Sequence, residues 1–183
     1  DDDEPPPAAS EEPKPEPLPP TSSIRLEVRR LAAAMQVAAK QDVRYYLCGV
    51  MVHLPEDGGA LRIVATDGHR MLVQSAEIEK PTEWLEGAGI ILCGADLAEA
   101  LAIAKKHGDA VTVTYGRGHA HATVATADGF ASVRVSVLDG KFPDYQRVLA
   151  GCDLSNRGGE ILAAATLNPD YLKSAAVVAG ILN

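Results

Sequence analysis

The chain has 183 residues, and 46% of them are hydrophobic, enough for one sizeable core; only 4% are aromatic, so Ala, Val, Leu and Ile must build that core. A net charge of −8 argues against indiscriminate polyanion binding by the whole surface, although a local basic face is compatible with that sum. No apolar run approaches the ~20 residues of a transmembrane helix, and the acidic, proline-rich start is the opposite of a signal peptide.

Three cysteines, Cys48, Cys93 and Cys152, form no CxxC pair and read as reduced thiols of a cytosolic protein. In chain order, residues 1–23 read as a disordered acidic tail. Of the 12 prolines, 8 lie in residues 1–20 among Glu and Ala, and such a stretch cannot bury enough apolar surface to order itself. It reads as an inert tether or as a ligand for a proline-reading partner. From Ile24 to Lys40, Val28, Leu31, Met35 and Ala38 recur at helical spacing, which predicts a helix. Arg25, Arg29 and Arg30 fall off that stripe and Lys40 closes its last turn, an arrangement equally suited to a plain solvated face. Alternation of Val43, Tyr45 and Leu47 with Arg44, Tyr46 and Cys48 predicts a strand over Gln41–Val52, with Gly49 marking a bulge or a close backbone approach.

After a turn at Pro55–Gly59, two strand-like runs flank Asp67-Gly68, a strong hairpin signal because Gly tolerates positive φ and Asp bonds its own backbone. The stretch Val64-Ala65-Thr66-Asp67-Gly68-His69-Arg70-Met71 has a near copy in Val124-Ala125-Thr126-Ala127-Asp128-Gly129-Phe130. One supersecondary unit is thus written twice. The second copy predicts a short strand at Gly89–Leu92, a helix opened or capped by Asp96 and ended by Gly108, and strands at Val111–Tyr115, His119–Ala125 and Ala131–Val137. A third start is visible at Ile161–Leu167, with a helix expected over Asp170–Leu182.

Three stretches then carry a resemblance: Gln41-Asp42-Val43-Arg44-Tyr45-Tyr46-Leu47, Val64–Arg70, and Gly140-Lys141-Phe142-Pro143-Asp144-Tyr145-Gln146-Arg147-Val148-Leu149. Their order and spacing resemble the bacterial DNA polymerase III beta subunit, the sliding clamp. The resemblance covers Ile24–Leu149 as a middle domain and Ile161–Asn183 as the opening of a last one. It implies an α+β fold of the DNA-clamp (processivity) type, a duplicated strand-helix-strands unit with helices on one face of antiparallel sheets. The expected organisation is a tail at 1–23, a clamp-like domain at 24–150, a linker at 151–160 and a partial further domain at 161–183.

By the same resemblance, helices line a ring and present cations to duplex DNA. Arg25, Arg29, Arg30, Lys40, Lys105 and Lys106 then become candidate phosphate contacts, which would be non-specific and salt-sensitive. Gln41, Tyr45 and Tyr46 are implied to touch DNA inside the ring, or else are residues of a half-buried strand. A second implied site is a pocket for short clamp-binding motifs of DNA polymerase and clamp-loader subunits. Its matching residues are Leu47, Thr66, Gly68, His69, Arg70, Met71, Pro143, Arg147 and Val148. Leu47, Met71, Pro143 and Val148 would receive apolar anchors, and Gly68 would allow close backbone approach.

There are departures. The proline-rich tail stands where relatives carry a full domain, and a ladder strand is not expected near Pro17–Ser22. The last domain is largely absent, so a ring homodimer is expected only where the missing domains are supplied. Ala150 replaces a usual proline, and Cys48 stands where some relatives carry a polar residue. His119 and His121 would share one strand face but lack further ligands, so no metal or cofactor is expected, and no nucleophile motif points to catalysis. Two readings follow: a cytoplasmic processivity factor of bacterial, phage or plasmid origin that tethers replication proteins to DNA, or a clamp-derived peptide-binding adaptor or competitor that does not encircle DNA.

Overall fold

The computed structural model describes residues 21–55, 60–77, 89–116, 118–150 and 169–183. The first element is a strand, β1 (Thr21–Glu27), in which Ile24 and Leu26 turn inward and Arg25 outward. The chain then enters α1 (Val28–Met35), whose Leu31, Ala33 and Ala34 are fully buried. A 3-10 turn at Tyr45–Cys48 leads into β2 (Gly49–His53), followed by the hairpin β3 (Leu61–Thr66) and β4 (Met71–Ala76). The second unit runs β5 (Ile90–Cys93), α2 (Gly94–Ala104), β6 (Ala110–Gly116), β7 (His121–Thr126) and β8 (Ser132–Ser136). Leu97, Ala100, Leu101 and Ala104 are buried along α2 at steps of three and four, the stripe of a helix lying on a core. Two helices close the described chain, α3 (Tyr145–Ala150) and α4 (Pro169–Leu182).

Among the described residues all pairings are antiparallel, in two four-stranded sheets ordered β1-β6-β7-β8 and β4-β3-β2-β5. The duplication is therefore complete: each unit is strand, helix, three strands. The leading strands are exchanged, however. β1 pairs with β6 of the second unit, Ile24 opposite Val113, and β5 pairs with β2 of the first, Met51 opposite Ile91. The main core lies between the sheets and the helices α1 and α2. A smaller cluster covers the other face of the β2–β5 sheet, where Met51, Val64 and Ile91 meet Phe142 and Tyr145. That second cover explains why β2 is buried on both faces. Gly49 sits at a close approach, since a Cβ there would fall 2.7 Å from the Leu92 carbonyl oxygen.

Several expectations are corrected. Ile24–Glu27 is strand, not helix, and it takes in Thr21–Ser23 from the expected tail; β1 is an edge strand, so the prolines just before it interrupt no central ladder. The helix ends at Met35, so Lys40 stands beyond it. Arg44–Cys48 is not strand: the Leu47 N–H bonds the Arg44 carbonyl at 2.8 Å and tightens the chain into the 3-10 turn, leaving only Gly49–His53 extended. Asp96 does not cap α2; it lies inside the first turn and accepts the Ser136 N–H at 2.8 Å. His119 precedes β7, so only His121 is on the strand. Cys152 and the third start at Ile161–Leu167 lie outside the described residues; the expected helix after them is α4.

Candidate functional site

The β3–β4 connection is a four-residue loop, Asp67-Gly68-His69-Arg70, closed by the pair Thr66–Met71. Asp67 Oδ1 accepts the N–H groups of His69 (2.9 Å) and Arg70 (3.0 Å), and its Oδ2 accepts Arg70 Nε at 2.9 Å. Thr66 Oγ1 donates to the Arg70 carbonyl at 2.6 Å and accepts the Gly68 N–H at 3.0 Å. Burial pushes the Asp67 carboxyl up, but these bonds and the Arg70 guanidinium outweigh it and hold the group below the usual carboxylate range. Gly68 has φ +88°, a conformation side chains resist, and an added Cβ would meet Arg44 Nη2 at 2.9 Å. The room above Gly68 is thus filled by this chain's own Arg44.

Arg44 is itself held. Its backbone N–H, Nε and Nη2 donate to Asp42 at 2.8, 3.0 and 2.9 Å, and the Arg44 side chain beside Asp42 pulls that carboxyl down to about 2. On the other side, Arg70 reaches the Gln36 carbonyl at 3.1 Å, and its guanidinium lies 5.1 Å from the Tyr171 ring centroid, against which His69 also stacks. The loop is therefore fixed from three directions.

Beside it, half-buried Met71 packs against the cluster that holds Phe142 and Tyr145, and the Tyr145 hydroxyl bonds His53 Nδ1 at 2.9 Å. From that anchored segment, Pro143, Arg147 and Val148 project as exposed residues, Val148 at 53%. A firm turn thus leads into half-buried Met71, which shares a cluster with Phe142 and Tyr145, the two buried residues of the segment that carries exposed Pro143, Arg147 and Val148. Leu47 and Thr66 do not belong to the accessible surface. Leu47 is completely buried and Thr66 nearly so, and both act as supports.

The basic residues are less uniform than expected. Arg25 stands on β1, and with Arg29 and Lys105 it lines a cavity of about 850 Å³ that also holds Glu27 and Asp109. Arg29 and Arg30 both turn to Glu27, at 2.5 and 2.8 Å; Arg29 further bonds the Leu182 carbonyl, and Arg30 the Ser75 carbonyl. Lys40, Gln41, Lys105 and Lys106 are exposed and Tyr45 is 53% exposed, whereas Tyr46 is half-buried against the Phe142 cluster. Among the described residues no His, Cys, Asp and Glu side chains gather in threes to hold a metal, and no helix is long and apolar enough to cross a membrane.

Residues 22–144 match the family model for the DNA polymerase III beta subunit, central domain. The chain belongs to that family. It is 35% identical over 141 residues to the beta sliding clamp of Pseudomonas aeruginosa, covering 77% of this chain and 34% of that one. With the Escherichia coli clamp it shares 35% over 137 residues, 69% of this chain and 35% of the relative. A crystal structure of the Pseudomonas aeruginosa clamp bound to griselimycin aligns with a TM-score of 0.55 and 32% identity over 75% of this chain and 36% of that chain. The fold is thus the α+β clamp fold, and the chain spans about a third of the length of the curated clamps it matches. Within this clamp domain, sequence reading missed Arg44, Gln36 and Tyr171 as partners of the loop. The Asp42-x-Arg44 spacing was a usable signal for the first; nothing local marked the others.

Proposed function

We propose that this domain takes short clamp-binding peptides of DNA polymerase and clamp-loader subunits on the Met71–Pro143–Val148 ledge, as part of a non-catalytic processivity factor that tethers them to DNA. The observation that carries this reading is the rigid Asp67–Arg70 loop leading into half-buried Met71, which packs on the cluster of Phe142 and Tyr145, three residues before exposed Val148. Leu or Phe anchors bind by leaving water for such a preformed apolar ledge, and the fixed turn keeps the ordering cost low. His69, Arg70 and Arg147 supply donors for the peptide's polar groups. That a relative of this fold has been solved with griselimycin bound is consistent with a ligand-taking surface. Arg25, Lys40, Lys105 and Lys106 supply the charges for duplex DNA, and a cytoplasmic setting follows from that role.

A second reading, an adaptor that binds peptides without encircling DNA, draws on the pairing of Arg29 and Arg30 with Glu27, which leaves the helix α1 with little free positive charge. The test is fluorescence anisotropy of a labelled Gln-Leu-Ala-Leu-Phe peptide titrated with this chain. Saturable binding that Met71→Asp weakens at least tenfold, about 1.4 kcal/mol, is the expected result. Equal binding by the variant would remove the ledge from the account. Duplex affinity then separates the two readings.

A further inference from the structure

The helix α4 touches both candidate surfaces at once. It turns Tyr171, Ser174, Val178 and Ile181 toward the domain, at steps of three and four, with Leu182 beside them. It packs along α1, where Val178, 8% exposed, enters the main core and Ile181 and Leu182 pack against that core. At its last turn the Leu182 carbonyl accepts Arg29 Nη1 at 3.0 Å, and Ile181 lines the cavity that holds Arg25, Arg29 and Lys105. At its first turn the Tyr171 ring stacks on His69 with centroids 6.4 Å apart, and the Arg70 guanidinium carbon lies 5.1 Å from the same ring.

The first of these contacts bears on peptide binding. Arg70 carries Asp67 on Nε, the Gln36 carbonyl on Nη2 and Tyr171 against its face. A peptide that draws on His69 and Arg70 must displace one of these partners. Asp67 and Gln36 belong to the loop and to the end of α1, and Asp67 with Thr66 closes the loop backbone without any help from Tyr171. Tyr171 alone of the three comes from a separate helix. That helix is attached through little more than Val178, the Arg29–Leu182 bond and the aromatic stack, and elements held by so few contacts open most readily. It also brings no replacement charge to α1, since its one cation, Lys173, faces Asp170 at 3.5 Å.

We propose that α4 is an intramolecular competitor of the partner peptide. Docked on α1, it holds His69 and Arg70 under Tyr171; the peptide binds fully only to chains in which α4 has lifted. The proposal rests on the peptide-ledge reading above. The apparent affinity is then the intrinsic one multiplied by the lifted fraction, so a lifted fraction of about a tenth weakens binding about tenfold.

The experiment measures anisotropy of labelled Gln-Leu-Ala-Leu-Phe with the full chain and its variants. Val178→Asp, which undocks α4 without touching the loop, is expected to bind about tenfold tighter than the native chain. Tyr171→Ala is expected to tighten binding in the same direction, whereas Tyr171→Phe, which keeps the stack, and Leu172→Asp, on the exposed side of α4, retain the native affinity. A synthetic peptide of residues 169–183, added to Val178→Asp, returns the affinity toward the native value. Far-UV circular dichroism checks that Val178→Asp is folded; if it is not, Tyr171→Ala decides alone. Equal affinities in the native chain and Tyr171→Ala overturn the competitor. Weaker binding by Tyr171→Ala also overturns it and makes Tyr171 a wall of the site. If no chain binds the peptide, the ledge reading fails and the competitor falls with it.

Discussion

Asp42 governs the candidate site without belonging to its surface. Its carboxylate holds Arg44 by three bonds, and Arg44 lies over the glycine that lets the Asp67–Arg70 loop turn. The Arg44 side-chain bond is the largest reason the Asp42 carboxyl sits near 2, so the folded value is depressed below the unfolded ~3.9. The sign follows by linkage: the contribution is present above about pH 4 and is lost as pH falls toward 2. Carboxyl-detected NMR titration is expected to place Asp42 at about 2 in the native chain and, in Arg44→Ala, to return it toward the ordinary value. An unshifted Asp42 in the native chain would mean that Arg44 does not rest over Gly68. Asp67 moves the same way for a related reason, since its bonds to His69, Arg70 and the Arg70 guanidinium exceed the cost of its burial.

At the scale of elements, the exchange of β1 and β5 ties the two copies of the unit together. The first unit's leading strand completes the second unit's sheet, and the converse holds, so neither copy has a full sheet of its own. Leu26, 2% exposed on β1, packs in the core common to both. Leu26→Ala is expected to cost roughly 2–5 kcal/mol, as for other buried leucines, and to shift one cooperative urea transition rather than split it. Two resolved transitions by circular dichroism would show that the copies fold separately. The second copy was readable because Val111, Val113 and Tyr115 alternate cleanly, although α2 ends at Ala104 with Lys105 as its cap and not at the expected terminator Gly108. β1 was not, because Ile24 and Leu26 run straight into the helical spacing of Val28 and Leu31 and the Thr-Ser-Ser start reads as tail. Tyr45-Tyr46-Leu47 misled in the opposite direction: strand-favouring side chains sit in a tight turn set by Leu47 burial. The residues proposed for the ledge were picked out through motif resemblance alone. The contact of Tyr171 with His69 and Arg70 joins positions 102 and 101 residues apart, which no local pattern encodes.

The whole molecule separates its charges. Residues 1–20 hold seven of the 25 acidic residues against one lysine, so the rest of the chain is nearly balanced despite the net −8. Within that balance, pairing decides which cations remain available. Arg30 is committed to Glu27 and the Ser75 carbonyl, and Arg29 to Glu27 and the end of α4, while Arg25, Lys40, Lys105 and Lys106 carry no ion pair among the described residues. If these four neutralise phosphates, each displaces a condensed counterion, and the slope of log affinity against log salt for duplex DNA should be about −3 to −4. Exchanging Lys105 and Lys106 together for Glu removes two contacts and should flatten the slope by about 2. Arg30→Ala should leave it unchanged, because that guanidinium already has protein partners. Filter binding across a salt series reads all three. A slope near zero in the native chain would remove the basic face from the account and leave the adaptor reading. A normal slope that ignores the paired lysine exchange would place the phosphates on another surface.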